Sequence, residues 1–327
     1  RSAWLKTHHP AAFLAGVLTH EPGMYPRRLI LEDARERGIA ILPLDVHRSE
    51  AAYTVERIGD GWGIRLALRD VHGITDAEIA AVLRAREDRP FRDVVDLLER
   101  TAIARPVAEA LAHAGALDGV GRGTRRDRLF AAMVEAPART GEQLAFAVDP
   151  VDPPGLPEYS DAERVRAELD VLGVDASRHL VSFFEPLLDD LGVVRGRDLW
   201  RHRGGERVVV AGVKVASQTP AIRSGQRIIF LTLDDATGPI DVTVFASVQP
   251  RVARTVFGSF VLAVRGTLRR TGVRGVSIVA EDVWDLPALQ RARRDGRLAE
   301  ALRHRGQMPP PIAAPRRLWH ASPGSAG

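Results

Sequence analysis

The sequence contains no cysteine among its 327 residues, which excludes disulfide bonds, thiolate metal sites and cysteine nucleophiles. It also lacks a run of about 18 apolar residues, the length that spans a bilayer. Its first residues do not show the charged-then-apolar order of a secretory signal. Lysine is nearly missing, since Lys6 and Lys214 are the only two among 46 basic residues. We therefore expect a cytoplasmic protein, outside the membrane, whose positive charge is carried by arginine.

An apolar content of 45% is sufficient for packed cores, and the length favours two or three domains. The chain begins Arg1-Ser2-Ala3 rather than with methionine, so we expect it to be part of a longer protein. A net charge of +4 carried by arginine fits a surface that faces phosphate. A GC-rich genome would produce the same bias, and composition does not decide between the two explanations.

The stretch from Gly63 to Glu87 contains the clearest local signal. Val71 to Thr75 has the form of a tight turn, and Thr75 with Glu78 has the spacing of a capping box, so a helix should start at Thr75. Backbone N–H groups at such a turn point outward and can hold a phosphate. The predicted phosphate-binding residues of this hairpin are Gly73, Ile74 and Thr75, although the carboxylates of the first helical turn oppose an anion.

Helical periodicity and breaker residues indicate further elements on both sides of this turn. We interpret Gly59, Gly61 and Gly63 as a hinge, and Gly119 to Arg128 as a linker rather than a dinucleotide fingerprint. Further predictions are a helix over 4–19 broken at His9-Pro10, a helix from 25 to Gly38, a strand over 39–42, a helical pair over 91–100 and 105–113, and a capping-box helix from Ser160 to Gly173.

Beyond Gly205 the hydrophobic period changes from helical to alternating. Five predicted strands and one helix suggest a small closed barrel of the OB-fold type, in which Gly212 allows a sharp bend. The strands are predicted over 207–215, 227–234, 240–245, 259–268 and 275–280, and the helix over 248–256.

A basic set on the barrel could follow a single nucleic-acid strand. Phe230 is the candidate for base stacking, because its strand parity separates it from Ile229 and Leu231, although a phenylalanine in a small barrel is often a core residue. The predicted strand-binding residues of the barrel are Lys214, Arg223, Arg227, Phe230, Arg265 and Arg269.

No catalytic group emerges from the sequence. His8-His9 precedes a proline and would splay apart, so no metal site is predicted there. Asp234-Asp235 is the best carboxylate pair, but neighbouring strand residues point to opposite faces, which favours a role in the turn. We therefore predict no catalytic residue, no metal ligand and no cofactor within this chain.

Several segments in order resemble the C-terminal part of a bacterial family C DNA polymerase of the alpha-subunit type. Departures from the family pattern are Ala67 and Thr75, where glycine is common, and His47, where asparagine is common. The segments that carry the resemblance are 2–6, 9–13, 33–39, 42–49, 63–74, 90–91, 114–118 and 230–235 with Gly238.

The resemblance implies a multidomain α+β fold, with an all-α fingers remnant and helix-hairpin-helix domain followed by a five-stranded OB-fold β-barrel. The predicted divisions are 1–60 for the end of the fingers, 61–130 for a tandem helix-hairpin-helix domain, 131–159 for a linker, 160–204 for a helical connector, 205–287 for the OB-fold and 288–327 for a basic tail, disordered or with a short helix.

The implied function is to hold primer-template duplex through the hairpins and template single strand through the barrel, in replication or translesion synthesis, with a weak leaning towards an accessory or error-prone branch. Catalysis by Mg²⁺ would use palm carboxylates upstream of Arg1. Gln143, Leu144 and Phe146 lie where some members carry a sliding-clamp peptide, and other replication or mutagenesis proteins are candidate partners. An RNA-binding module and a protein-interaction platform are the alternatives.

Overall fold

The computed structural model describes residues 1–20, 23, 26–135, 154–220, 227–272 and 275–303. The chain divides into two compact units. The first comprises Arg1–Pro22 and Arg37–Arg178, and the second comprises Gly23–Glu36 and His179–Gly327. Within the described ranges, no helix is long and apolar enough to cross a membrane.

The first unit is mainly helical, and the predicted break at His9-Pro10 is confirmed. A three-stranded sheet in the order β1-β3-β2 accompanies the helices. The elements of this unit are α1 (Ser2–His8), α2 (Pro10–His20), β1 (Ala40–Leu42), β2 (Thr54–Ile58), β3 (Gly61–Arg65), α4 (Asp76–Asp88), α5 (Val94–Thr101), α6 (Arg105–His113), α7 (Arg125–Glu135) and α8 (Asp161–Leu172).

The interpretation of Gly59, Gly61 and Gly63 as a hinge is wrong. These glycines belong to the antiparallel β2–β3 hairpin, in which Ile58 pairs with Gly61 and Glu56 with Gly63. A Cβ atom at Gly63 would lie 2.8 Å from the Ile58 side chain, so its glycine serves close packing. The linker interpretation of Gly119 to Arg128 is also wrong at its end, because α7 begins at Arg125.

Both predicted capping boxes are confirmed. The Thr75 hydroxyl accepts a hydrogen bond from the Glu78 amide while the Glu78 carboxylate accepts one from the Thr75 amide. Ser160 and Glu163 cap α8 in the same way. Each box satisfies two of the N–H groups that a helix start leaves unpaired.

The second unit contains a closed barrel in the order β4-β5-β6-β8-β7, with β4 also paired to β7. Only the β6–β8 pair is parallel. This connectivity and the helix before β7 confirm the predicted five-stranded OB-fold. The elements of this unit are α3 (Arg27–Glu36), α9 (Glu185–Asp190), β4 (Arg207–Gln218), β5 (Ile229–Asp234), β6 (Pro239–Val244), α10 (Gln249–Gly258), β7 (Val261–Thr271), β8 (Gly275–Asp285), α11 (Leu286–Arg294) and α12 (Leu298–Arg303).

Alternating side chains of all five strands fill the barrel with apolar residues such as Val210, Leu233, Val242, Leu262 and Ile278. A second apolar cluster lies under α9 and α11 on the other face of β4 and β7. For the segment from residue 288, the sequence predicted disorder or a short helix. Up to Arg303, this segment contains the end of α11 and the whole of α12.

Gly212 is required by close approach of two strands. A Cβ atom there would lie 2.7 Å from the Asp234 carbonyl oxygen and 3.0 Å from its backbone nitrogen. Neither atom is at the end of a flexible side chain. We expect Gly212→Ala to lower the free energy of unfolding by about 3 kcal/mol, because overpacking forces the backbone to shift. Thermal unfolding measures the loss. Gly204→Ala is the control, since its Cβ would meet nothing closer than 4.0 Å, and an equal loss there would contradict the explanation.

Candidate nucleic-acid interface

Phe230 lies on the outer surface of β5. Phe230 is 43% exposed, whereas Ile229 and Leu231 on either side are each 2% exposed. The parity prediction is confirmed, and the alternative that Phe230 is a core residue is wrong. Because β5 alternates in this way, the neighbouring outward positions contribute to the same surface.

A groove of about 440 Å³ runs beside Phe230. Backbone pairing places Phe230 opposite Thr243 of β6, Thr232 opposite Asp241, and Arg269 of β7 opposite Ser277 of β8. Because Asp241 also pairs with Ser277, a row of outward side chains runs from Thr232 on β5 across β6 and β8 to Arg269 on β7, with Phe230 and Thr243 beside it. The groove is lined by Ala216, Gln218, Phe230, Leu231, Thr232, Asp241, Val242, Thr243, Arg269, Thr271 and Ser277.

The groove combines an exposed aromatic ring, one guanidinium and several small polar groups. Arg269 is exposed and is the only cation among the described residues that line the groove. The Thr232 hydroxyl donates to an Asp241 carboxylate oxygen at 3.2 Å. Aromatic rings stack on bases and arginine pairs with phosphate. Thus the groove offers the contacts that a single nucleic-acid strand needs, with few groups that would fix its sequence.

Lys214 lies on the predicted strand but not on a surface that could contact a nucleic acid. It is 4% exposed, and its ammonium group donates to the backbone carbonyl of Val256. Burial lowers the pKa of the Lys214 ammonium to about 8, since removal from water disfavours the charged form. Its position on β4 turns the side chain towards α10, so it does not belong to a phosphate-facing surface.

Arg265 also lies outside the groove. Its guanidinium binds an Asp282 carboxylate oxygen at 2.6 Å and lies 5.1 Å from the centre of the Trp284 ring. It lines a separate cavity of about 170 Å³ beside α11. The charge is thus neutralised and the side chain packs against the barrel, which corrects its prediction as a DNA contact.

Of the remaining predicted residues, Arg227 is exposed immediately before β5, and its carbonyl accepts a hydrogen bond from Gln249. Arg223 lies outside the described residues, as do Gln143, Leu144 and Phe146. The structure therefore brings together Phe230 and Arg269 from the predicted barrel set, whereas Arg227 lies two residues before β5 and outside the lining of the groove.

Most hydrogen-bond donors of the Gly73 turn already have acceptors within the protein. The Ile74 amide donates to the Val71 carbonyl at 3.2 Å, and the Thr75 amide and hydroxyl both donate to one Glu78 carboxylate oxygen, at 3.0 and 2.7 Å. The other Glu78 oxygen accepts from the Ala104 amide at 2.8 Å. An incoming phosphate would have to displace a carboxylate, so the predicted cradle of Gly73, Ile74 and Thr75 is not formed as expected.

Two known domain families match the two units. A helix-hairpin-helix motif family matches residues 38–128, and a family described as an OB-fold nucleic acid binding domain matches residues 208–286. Error-prone DNA polymerases are similar over most of the chain. That of Symbiobacterium thermophilum is 33% identical over 302 residues, covering 79% of this chain and 28% of the relative.

The chain is homologous to part of the error-prone DNA polymerases. The relative from Methylococcus capsulatus is 33% identical over 82% of this chain and 27% of its own length. The relative from Nocardia farcinica is 35% identical over 86% of this chain and 25% of its own length. This chain thus spans about a quarter of the length of these relatives. The predicted resemblance to the C-terminal part of a DNA polymerase III alpha-like protein is confirmed.

Sequence reasoning missed a second turn in the helix-hairpin-helix region of this chain. Gly119, Gly121, Arg122 and Gly123 are exposed, and their amide groups make no backbone hydrogen bond among the described residues. The loop leads into α7, whose start is capped by Thr124 and Asp127. Open amides before a helix N-terminus suit a phosphate. The Gly-Val-Gly spacing was the available signal, but we weighed it only as a dinucleotide fingerprint.

One buried cluster in the second unit has ligand atoms spaced for a metal ion. Oxygen or nitrogen atoms of Glu32, His179 and Asp234 lie within 4.8 Å of one another. His179 Nε2 lies 3.1 Å from an Asp234 oxygen, while its Nδ1 accepts from the Val181 amide. Both ring nitrogens of His179 therefore already have partners within the protein, which opposes their use as metal ligands.

The charges of this cluster are balanced by arginines. Arg28 Nε lies 3.8 Å from Asp234, and Arg35 binds Glu32 at 3.1 Å. Burial raises the pKa of the Glu32 carboxyl. For Asp234, burial also raises the pKa, but the hydrogen bond from His179 and the nearby positive charge outweigh it and leave the pKa below its usual value. The cluster fits a structural role that holds α3 on the barrel better than a metal site.

The carboxylates of Asp234 and Asp235 shape the β5–β6 turn, as predicted. Asp234 accepts from the Ala236 amide at 3.0 Å, and Asp235 accepts from the Thr237 amide at 2.9 Å and the Gly196 amide at 2.7 Å. Both residues are fully buried. One Asp234 oxygen and both Asp235 oxygens accept from backbone donors, which is the usual role of aspartate in turns, while the other Asp234 oxygen faces His179 and Arg28.

Proposed function

We propose that this chain is the DNA-binding C-terminal region of a DNA-directed DNA polymerase that works in replication or translesion synthesis. The observation that carries the proposal is the groove on the barrel, which is lined by the exposed Phe230 ring and by Arg269. The homology to error-prone DNA polymerases supports DNA as the ligand.

In this proposal the groove holds the template single strand. A base stacks on Phe230, and Arg269 pairs with a phosphate of the same strand. Hydroxyl groups of Thr243 and Ser277 can bond to base edges or sugars without selecting one base. A region that holds template during synthesis must accept any sequence, and stacking tolerates every base.

The duplex product is held by the helix-hairpin-helix unit. The open amides of the Gly119–Gly123 loop and the exposed Arg122 side chain face solvent together, and backbone N–H groups position a protein on phosphates without reading sequence. The Gly73 turn contributes less, because Glu78 occupies its donors.

Other parts of the polymerase lie outside this chain in the proposal. Palm carboxylates elsewhere would bind Mg²⁺ for two-metal phosphoryl transfer, so the chain alone is expected to bind DNA without incorporating nucleotides. Gln143, Leu144 and Phe146 are proposed as a sliding-clamp peptide, and other replication or mutagenesis proteins are proposed as partners.

The duplex role is tested with Arg122→Ala. We expect this change to weaken binding to a blunt DNA duplex about threefold and to reduce the slope of log affinity against log salt by about 1, because one phosphate contact is lost. Fluorescence anisotropy of a labelled duplex across a salt series measures both. A short single strand held by the barrel should bind unchanged.

Arg84→Ala is the matched control, since Arg84 is an exposed arginine of the same unit, on α4. An equal loss of duplex affinity in both variants would show that general electrostatic attraction, rather than a specific contact of the Gly119–Gly123 loop, accounts for the effect. Absence of any salt-dependent DNA binding by the whole chain would sink the proposal. Preferential binding of a matched RNA oligomer would instead favour an RNA-binding module, and partner capture without nucleic-acid affinity would favour an interaction platform.

A further inference from the structure

Trp200 is an exposed aromatic residue that the groove does not include. It is 62% exposed, while the preceding Leu199 is 5% exposed and belongs to the barrel core. Both residues lie in a short 3-10 segment, Gly196–Arg201, ahead of β4. Leu199 therefore anchors the segment, and the large Trp200 ring is left in water, where an apolar surface is costly unless it has a ligand.

The position of Trp200 is fixed by the end of β7. The Arg270 guanidinium donates to the backbone carbonyl of Trp200 and to that of His202 at 2.8 Å. The Gly205 amide donates to the Leu268 carbonyl at 2.8 Å. Residues 200–205 thus lie against 268–270, and the ring is held on an ordered backbone.

The same end of β7 borders the groove. Arg269 and Thr271 line the groove, and Arg270 between them holds the Trp200 segment. Since Leu268 is a core residue and Arg270 has the same strand parity but is exposed, Arg270 lies at the mouth of the barrel. The Trp200 backbone is therefore held at the end of β7 that also supplies Arg269 and Thr271 to the groove.

Three arginines lie close to Trp200 along the chain. The Arg201 guanidinium lies 5.3 Å from the centre of the Trp200 ring, and Arg197 and Arg203 are exposed. Asp198 pairs with Arg201 at 2.8 Å and with Arg197 at 3.6 Å. An exposed indole among arginines is the arrangement that holds a base by stacking and its phosphates by charge.

We propose that Trp200 is a second base-stacking position, onto which a single strand leaving the Phe230 groove continues past Arg269. This inference rests on the proposed function and extends its binding path by the Trp200 ring with Arg201 and Arg203. The site takes an unpaired nucleic-acid strand longer than the groove alone can hold.

The test compares labelled thymidine oligomers of about 5 and about 15 nucleotides, a range that covers one barrel and its extension. We expect Trp200→Ala to weaken the longer oligomer about tenfold and the shorter one less than about twofold, because only the longer strand reaches the ring. Phe230→Ala should weaken both. Anisotropy with the full chain measures the affinities.

Trp62→Ala is the matched control, because Trp62 is 51% exposed and has an arginine 5.9 Å from its ring in the other unit. It should change neither affinity. Trp200→Phe should keep most of the affinity for the longer oligomer. It should remove most of the tryptophan fluorescence quenching that this oligomer causes. Because this variant keeps an aromatic ring, it also separates a loss of stacking from a folding defect in Trp200→Ala.

The outcomes separate the two proposals. If neither oligomer binds the unaltered chain, the proposed function fails. If both bind but Trp200→Ala leaves the length dependence unchanged, or Trp200→Phe leaves the quenching unchanged, the second stacking position is overturned. Equal weakening of both oligomers by Trp200→Ala also overturns it, since the ring would then act within the groove site itself.

Discussion

Replacing Phe230 with alanine is expected to weaken binding of single-stranded DNA about tenfold or more. Stacking of one base on an aromatic ring contributes about 1–3 kcal/mol, and 1.4 kcal/mol corresponds to a factor of ten. Phe230 is exposed and its backbone is paired on both sides, to Gln218 and Thr243, so the change removes the ring without opening the core. Anisotropy with a short labelled oligomer measures the loss.

Two control variants distinguish stacking from a general loss of apolar surface. Phe257→Ala removes a ring that is 51% exposed on α10, away from the groove lining, and should leave the affinity unchanged. Phe230→Tyr keeps a stacking surface and should retain most of it. If Phe257→Ala weakens binding as much as Phe230→Ala, the groove is not the place where the strand binds.

The outward position of Phe230 could be predicted because strand alternation depends only on local sequence. The capping boxes at Thr75 and Ser160 could be predicted for the same reason, since every group involved lies within four residues. The barrel followed from five alternating segments in order. These features share one property, which is that neighbouring residues fix them.

The roles of the basic side chains could not be predicted in this way. Lys214 and Arg265 are on the expected strands, but Lys214 is buried against α10 and Arg265 is paired with Asp282, which is 17 positions further along the chain. Whether an arginine is free or paired depends on partners that only the fold brings near. The same limit applies to Glu78, which serves the distant Ala104 amide as well as its own cap.

The β2–β3 hairpin was missed for a related reason. Its glycines resemble a hinge in isolation, and only the pairing of Val55 with Ile64 and of Ile41 with Ile64 shows a sheet. Glycine in a strand signals close packing as often as a bend. The distinction needs the neighbour that approaches, which is the Ile58 side chain at Gly63 and the Asp234 backbone at Gly212.

Asp96 is expected to be the most important single carboxylate for the stability of the helix-hairpin-helix unit. The residue is 2% exposed and accepts two hydrogen bonds from Arg89, at 2.6 and 2.9 Å, one from the Arg92 amide at 3.0 Å and one from Arg100 at 3.2 Å. Asp96→Ala should lower the free energy of unfolding by about 3 kcal/mol, because the Arg100 guanidinium, which is only 16% exposed, and the Arg89 guanidinium lose a buried carboxylate partner. Urea unfolding followed by circular dichroism measures the loss.

The pH dependence of this loss has a defined sign. The hydrogen bond from Arg89, aided by the Arg92 amide and Arg100 and opposed by burial, holds the pKa of the Asp96 carboxyl well below its usual value. A lowered pKa in the folded state stabilises the protein above the unfolded pKa of about 4. That contribution is lost as the pH falls through the range between the unfolded and folded values. The difference between the unaltered chain and Asp96→Ala should therefore be full at pH 7 and shrink below about pH 4.

Asp88→Ala is the control for the network, since its carboxylate lies 3.8 Å from Arg100 but its side chain is 80% exposed. Exposed ion pairs contribute about 0–1 kcal/mol, so this variant should unfold nearly like the unaltered chain at every pH. A large loss in Asp88→Ala, or a difference for Asp96→Ala that stays constant down to pH 3, would show that the buried charge network is not the cause.

If the network is the cause, Asp96→Ala should also weaken duplex binding more than single-strand binding. The reason is that the loop of Arg122 packs on the start of α5, where a Cβ atom at Gly121 would lie 3.4 Å from Asp93.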